Sequence, residues 1–257
     1  MSATEETNVR PRTYTILPAL TAALLISASV VCAQNSNKFE DAQERAKDAA
    51  RIITLLGVLP ESDLPKELID RAQAIGVFPK VKKETIYLSS FTQGYGVISA
   101  RTETGWTMPA FYEFSGGGYG NPFARPETTG IMMLFMTKDA VSWFEKGGVK
   151  LRNEKKAVEG PVGIITDAQR KEIEGAQILA YAYYNGRLSG KAFGKSFWKS
   201  FLLNPDNNIN TPLYGMKGRE VLAGTKIATT AQIPAAIPTF KDALEKYYSA
   251  AKTSADN

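Results

Sequence analysis

The sequence predicts an α+β fold. It reads as a single domain on a central, mainly antiparallel sheet, barrel-like or strongly twisted, flanked by N- and C-terminal helices. Three observations predict it. Residues 85–91, 95–101 and 107–114 are rich in β-branched and aromatic side chains and are separated by Gly94 and by Glu103-Thr104-Gly105, the pattern of strands joined by tight turns. Residues 37–57 and 239–252 instead repeat apolar side chains every three or four positions, as amphipathic helices do. The chain of 257 residues is 44% hydrophobic and has no internal repeat or long low-complexity linker, which suits one substantial core.

The first 33 residues have the form of a signal peptide. Arg10 and Arg12 precede an apolar run over 16–31, and Val31-Cys32-Ala33 offers small side chains for cleavage before Gln34. The expected organisation is therefore a signal peptide over 1–33, a domain with its N-terminal helix over 34–225 and a C-terminal helical extension over 226–257, secreted or periplasmic. Two alternatives stay open: lipidation at Cys32, which the bulk of Val31 disfavours, and retention of the run as a membrane anchor, which Pro18, Ser27 and Ser29 weaken.

Helix 37–57 places Phe39, Ala42, Ala46, Ala49, Ile53 and Leu56 on one face, with Ser36 or Asn37 as cap and Gly57 and Pro60 at its end. Residues 62–74 read as a second helix capped by Ser62, with Leu64, Leu68, Ile69 and Ala72 inward. A short strand over 75–78 is expected to stop at Pro79. Lys80, Lys82 and Lys83 follow, either a solvated turn or a lipid contact. In the stretch 106–120, WTMPAFYEFSGGGYG, Tyr112 and Phe114 share one face of a strand and Phe111 and Glu113 the other. Gly116, Gly117, Gly118 and Gly120 then permit positive φ, which suits a sheet corner or a loop around a ligand. The apolar run 131–136 reads as a central strand. Residues 138–146 read as a short helix with Val141 and Phe144 inward, closed by Gly147 and Gly148.

Charge is unevenly spread. Lys146, Lys150, Arg152, Lys155 and Lys156 face a single acidic residue, Glu154, and from 175 to 205 there is no Asp or Glu at all. If 187–199 is one strand, Arg187, Ser189, Lys191, Phe193, Lys195, Phe197 and Lys199 project to one side, cations alternating with rings as at an anionic bilayer boundary. The alternative packs Phe193 and Phe197 beneath a neighbouring element while the lysines reach water. Within this stretch SGKAFGKS imitates a phosphate-binding loop, but serine stands where its first glycine must be. Residues 204–212 read as a polar loop with too few carboxylates for a calcium site. A short helix over 218–222 and a terminal helix carrying Phe240, Leu244 and Tyr247 toward the core complete the chain.

Histidine is absent and Cys32 is the only cysteine, which excludes Ser-His-Asp and Cys-His nucleophile systems and any cysteine or histidine zinc site. No cofactor is expected. Removing residues 1–33 takes away two basic and two acidic side chains and leaves the net charge at +5. Such a protein is drawn to anionic surfaces, and export argues against nucleic acid as the partner.

Several short motifs recur in a characteristic order: Leu64-Pro65, the helical stretch 66–74, Ile75-Gly76-Val77-Phe78-Pro79, Gly94-Tyr95-Gly96-Val97, the aromatic strand with its glycines, Gly160-Pro161-Val162-Gly163, Leu188-Ser189-Gly190, Leu213-Tyr214-Gly215 and Val221-Leu222-Ala223-Gly224. Over residues 40–225 this series resembles the SYLF domain, a family of lipid-binding modules. The resemblance implies a non-enzymatic module for anionic phospholipid at a membrane surface, with no catalytic residues. Eukaryotic relatives suggest phosphoinositides; for an exported chain phosphatidylglycerol, cardiolipin or a lipid A phosphate fits better. Ser89-Ser90, Asn121-Pro122-Phe123 and Thr128-Thr129-Gly130 depart from the family pattern around the glycine cluster. Arg187, Lys191, Phe193, Lys195, Phe197, Lys199, Lys80, Lys82, Lys83, Lys150 and Arg152 are the candidate lipid contacts. A cell-envelope interaction or structural protein is the competing expectation, actin binding of the fungal kind being hard to reconcile with export. A carboxylate hydrolase using Glu113 with Asp167 or Glu172 is a third, without any spacing that pairs them.

Overall fold

The computed structural model describes residues 17–57, 64–119, 127–146, 149–150, 157–184, 186–190, 201–229 and 231–255. The chain divides into two units, Met1–Lys38 and Phe39–Asn257. Helix α1 (Leu17–Leu56) begins in the first, and the second holds its remainder and every other element. The expectation of a start capped by Ser36 or Asn37 is corrected: both lie inside the helix. From residue 39 onward the predicted face is the buried one, with Ala42, Ala46, Ala49, Ile53 and Leu56 in the core. Alanines at this spacing let the helix axis approach its support closely, at no cost in helix propensity.

The second unit is α+β, as expected, with a curled, half-barrel sheet and flanking helices. Its strands are β1 (Ala74–Ile86), β2 (Ser89–Thr102), β3 (Gly105–Trp106), β4 (Ala110–Tyr119), β5 (Glu127–Phe135), β6 (Val149–Lys150), β7 (Ala157–Glu159), β8 (Ile178–Tyr184), β9 (Arg187–Ser189) and β10 (Phe201–Pro205). Their order across the sheet is β6-β10-β4-β2-β1-β5-β8-β7, with β3 on β2 and β9 on β8. Among the described residues only the β7–β8 pair is parallel. The apolar run predicted to be central is so: β5 lies between β1 and β8, and Ile131, Met132, Met133, Leu134 and Phe135 are fully buried. Continuous apolar sequence follows from cover on both faces of the sheet.

Pro79 does not stop β1. The register shifts between Val77 and Lys80 against β2, so Phe78 and Pro79 together oppose Gly96. This is a β-bulge, the place where a strand tolerates a residue without an N–H. Gly96 is required there, because a Cβ would collide with Phe78 and the Val77 carbonyl.

The helices are α2 (Lys66–Arg71), α3 (Lys138–Ser142) continued by a 3-10 turn at Trp143–Lys146, α4 (Asp167–Ile173), α5 (Asn207–Tyr214), α6 (Gly218–Leu222) and α7 (Thr239–Ala255). Helix α2 is shorter than expected because Ala74 already pairs with Ala100 in the sheet, and Pro65 rather than Ser62 stands at its N-cap. Ser62 lies outside the described residues. The polar loop expected over 204–212 is instead the end of β10 and most of α5. Asn210 explains its position: buried, it donates to the Phe111 carbonyl and accepts from the Phe111 N–H, each at 2.8 Å, and so acts as one more rung on β4. Phe240 and Leu244 of α7 are buried and Tyr247 packs against the core, as expected.

Candidate functional site

Strands β1 and β2 form a long hairpin, and its outer half carries the most unusual surface of the described residues. Ile86 pairs with Ser89, leaving Tyr87-Leu88 as a two-residue turn. Such turns need positive φ, usually supplied by Gly or Asn; here Tyr87 takes it, at φ 55°. A strained tyrosine is thus held at a turn where it covers nothing: Tyr87 is 86% exposed and Leu88 64%. Ile86 and Phe91 beside them are exposed too, whereas Ser90 and Thr92, pointing to the other face of the hairpin, are buried. Large apolar groups in water and hydroxyls inside invert the ordinary preference.

Behind the tip, side chains alternate along β1. Lys80, Lys82 and Glu84 face one side, with Tyr95, Gln93 and Phe91 as their respective partners on β2. Lys80 is clasped to α1, its Nζ 2.7 Å from Glu44 Oε1 and 3.0 Å from Asp48 Oδ2. The hydrogen bond to Glu44, then that to Asp48, raises the Lys80 pKa above the ordinary lysine value. Arg45 lies 4.4 Å over the Tyr95 ring, pairs with Asp41 and reaches Asp206 at 3.0 Å. Gln93 donates to the Tyr95 hydroxyl at 2.9 Å and to Glu113 at 3.0 Å. Burial, and secondarily Glu113, pushes the Tyr95 pKa up. Between α1 and the hairpin lies a cleft of about 450 Å³ whose polar walls are therefore largely paired, with Lys82, Glu84 and Phe91 at its rim. Among the described residues Lys82 and Lys83 are exposed and form no salt bridge, and alternation sends them to opposite faces of β1.

The predicted site is only partly assembled. Arg187 is exposed at the start of β9, opposite Tyr184, itself exposed. The proposed strand over 187–199 is corrected: β9 ends at Ser189 and Gly190 follows as a bend, packed so closely that a Cβ would strike the Gly160 carbonyl. Lys191, Phe193, Lys195, Phe197, Lys199, Arg152 and Gly120 lie outside the described residues. Lys150 is placed by its backbone in β6, opposite Leu202. Lys80 is tied to carboxylates and is not a free cation.

The glycine corner is also corrected. Gly116, Gly117 and Gly118 continue β4, paired with β2, and none has positive φ. Gly116 instead makes room for Phe201, whose ring stacks on Phe114 at 4.5 Å. The Gly160-Pro161-Val162-Gly163 motif has a similar explanation, since a side chain at Gly160 would enter the ring of buried Tyr181. Glu113 stands on β4, hydrogen-bonded to Gln93, while Asp167 and Glu172 sit on α4. No group of three metal-ligating side chains occurs among the described residues.

Residues Ile86, Tyr87 and Leu88 were not legible as a site. Their composition is that of a strand, and 85–91 reads as one uninterrupted strand; the structure places a turn in its middle. The available signal was an apolar cluster, Ile86-Tyr87-Leu88, two residues after a group of three lysines.

The chain is similar to LAS seventeen-binding protein 3 of Saccharomyces cerevisiae, in strains YJM789 and ATCC 204508 / S288c, with 29% identity over 131 residues. The match covers 49% of this chain and spans 28% of the length of the yeast protein. No family model matches the chain, and no solved structure matches it.

Proposed function

We propose that this chain is a SYLF-type module that binds membrane surfaces carrying anionic phospholipid and performs no bond-making chemistry. The observation that carries the reading is the gathering of exposed apolar side chains on one half of the sheet. Of the eight large hydrophobic residues exposed among those described, Ile86, Tyr87, Leu88, Phe91, Tyr95 and Tyr184 lie beyond the β1 bulge or level with it. Lys82 and Lys83, which form no salt bridge among the described residues, share that half, and Arg187 faces Tyr184 there. Rings that enter the interfacial region and ammonium groups that meet phosphates are complementary to such a surface. The motif order and the similarity to the yeast protein support the SYLF assignment. Export to the periplasm or cell exterior belongs to the same proposal, and N-terminal sequencing of the protein recovered from cells, expected to begin at Gln34, tests it.

Cosedimentation with vesicles is the direct test of function. Binding is expected to rise with phosphatidylglycerol content and to weaken with salt. A second reading, a protein partner, is favoured by the name of the yeast relative, a binding protein for LAS seventeen. Failure to sediment with any vesicle, or equal sedimentation whatever the lipid charge, would favour that partner instead.

A further inference from the structure

Resting on the membrane reading, we propose that the tip of the β1–β2 hairpin is a wedge that enters the bilayer interface as far as Glu84 and no further. Order along the hairpin carries the inference. The turn Tyr87-Leu88 leads, followed by Ile86, then the rung pairing Glu84 with Phe91, then Lys82 with Gln93 and Lys83 with Thr92. A strand advances about 3.3 Å per residue, so the turn lies roughly 10 Å beyond Glu84. That length matches the roughly 5–10 Å by which interfacial elements bury their apolar side.

Glu84 sets the limit. It is exposed and forms no salt bridge among the described residues, so immersing its carboxylate in hydrocarbon would be costly. With Glu84 at the waterline, Tyr87, Leu88 and Ile86 fall on the apolar side, Phe91 stands level with Glu84, and Lys83 and Lys82 lie one and two residues behind with stems long enough to reach the phosphates. Lys82 and Lys83 flank the hairpin on both faces. A laterally uniform surface fits this arrangement better than a pocket in a partner protein, which would present charge to one side only. Glu127 stands across from Lys83 in the register of β1 with β5. With two carboxylates beside two lysines in this collar, insertion of the tip supplies most of the attachment and lipid charge tunes it.

The test uses the full chain with Cys32→Ser and one new cysteine, at Leu88 or at Gln93, carrying an environment-sensitive fluorophore. Vesicles contain about 30% phosphatidylglycerol in phosphatidylcholine, enough to create an anionic surface, with nitroxide-labelled lipid as quencher. A label at 88 is expected to shift to the blue and be quenched, while a label at 93 keeps its emission in water. A probe reads its own position, whatever the N-terminal apolar run contributes. Vesicle binding with an unshifted label at 88, or equal quenching at both positions, overturns the wedge but leaves the membrane reading standing. Absence of vesicle binding overturns both. A blue shift that grows with protein concentration without vesicles assigns the tip to a second copy of the chain and also overturns the wedge. The double variant Tyr87→Asp, Leu88→Asp is expected to weaken vesicle binding about tenfold or more, with an unchanged unfolding midpoint.

Discussion

The two ends of the β1–β2 pair use the same kinds of side chain to opposite ends. Away from the tip, the Arg101 guanidinium lies 4.2 Å from the Tyr248 ring centre and 4.9 Å from that of Trp106, whose rings are 5.2 Å apart. Arg101 also donates to the carbonyls of Ala72 at 3.0 Å and Asp70 at 3.1 Å, and Tyr248 donates to that of Ile69. Burial pushes the Tyr248 pKa up. At the tip, Tyr87, Leu88 and Phe91 meet nothing comparable. One end joins β1, β2, α2 and α7 and carries stability; the other leaves its apolar surface available. The difference is cover: α7 supplies it at one end, and no described element supplies it at the other.

That contrast predicts effects that separate cleanly. The largest belong to the packed body. Gly160→Ala forces a methyl into Tyr181, and Asn210→Ala strands the buried Phe111 N–H and takes one of two donors from its carbonyl, which keeps the Asp206 N–H; each is expected to cost about 3 kcal/mol, measured by denaturant unfolding. Arg101→Ala should cost about 2 kcal/mol through lost carbonyl hydrogen bonds and cation–π contacts, while vesicle binding by the folded fraction is unchanged. If Arg101→Ala instead weakened binding as strongly as tip substitutions do, the division of labour between the ends would be wrong.

Smaller effects belong to the outer half. Lys82→Gln and Lys83→Gln are each expected to reduce affinity for anionic vesicles by up to about 1 kcal/mol, and stability by almost nothing. Tyr87→Asn relieves the positive φ and should stabilise the fold by roughly 1 kcal/mol while weakening vesicle binding, an opposition of sign that a purely structural turn would not show. The smallest effect is the Lys80 clasp, an exposed pair worth under about 1 kcal/mol. Because the folded-state pKa of Lys80 is raised, its contribution is complete below the ordinary lysine value and is lost as pH climbs through the raised one. The difference in unfolding midpoint between wild type and Lys80→Met should therefore close in strongly alkaline solution.

Much of the body was legible because its pattern is local. The α1 face, the central apolar β5 and the docking of Phe240 and Leu244 all follow from periodicity. The errors have a common cause. Pro79 and Gly96 compensate each other across two strands, Asn210 mimics a β rung for a residue 99 positions away, and Gly116 answers the bulk of Phe201. Each is a pairwise fit between distant segments, to which composition along the chain is blind. Arg187 was read as a cation on one face and is exposed, whereas Lys80 was read as free and is neutralised by carboxylates 36 and 32 residues earlier in the sequence.

By itself the amino-acid sequence determined the fold class, the excluded chemistries and the surplus of positive charge, because these depend on residue types and short-range periodicity. Tertiary structure alone decided which apolar residues remain in water. Tyr87 and Phe111 are both aromatic residues in strand-like sequence, yet one is 86% exposed and the other fully buried. Hydrophobicity states what a side chain gains from cover, while only the arrangement of distant elements determines whether cover is there.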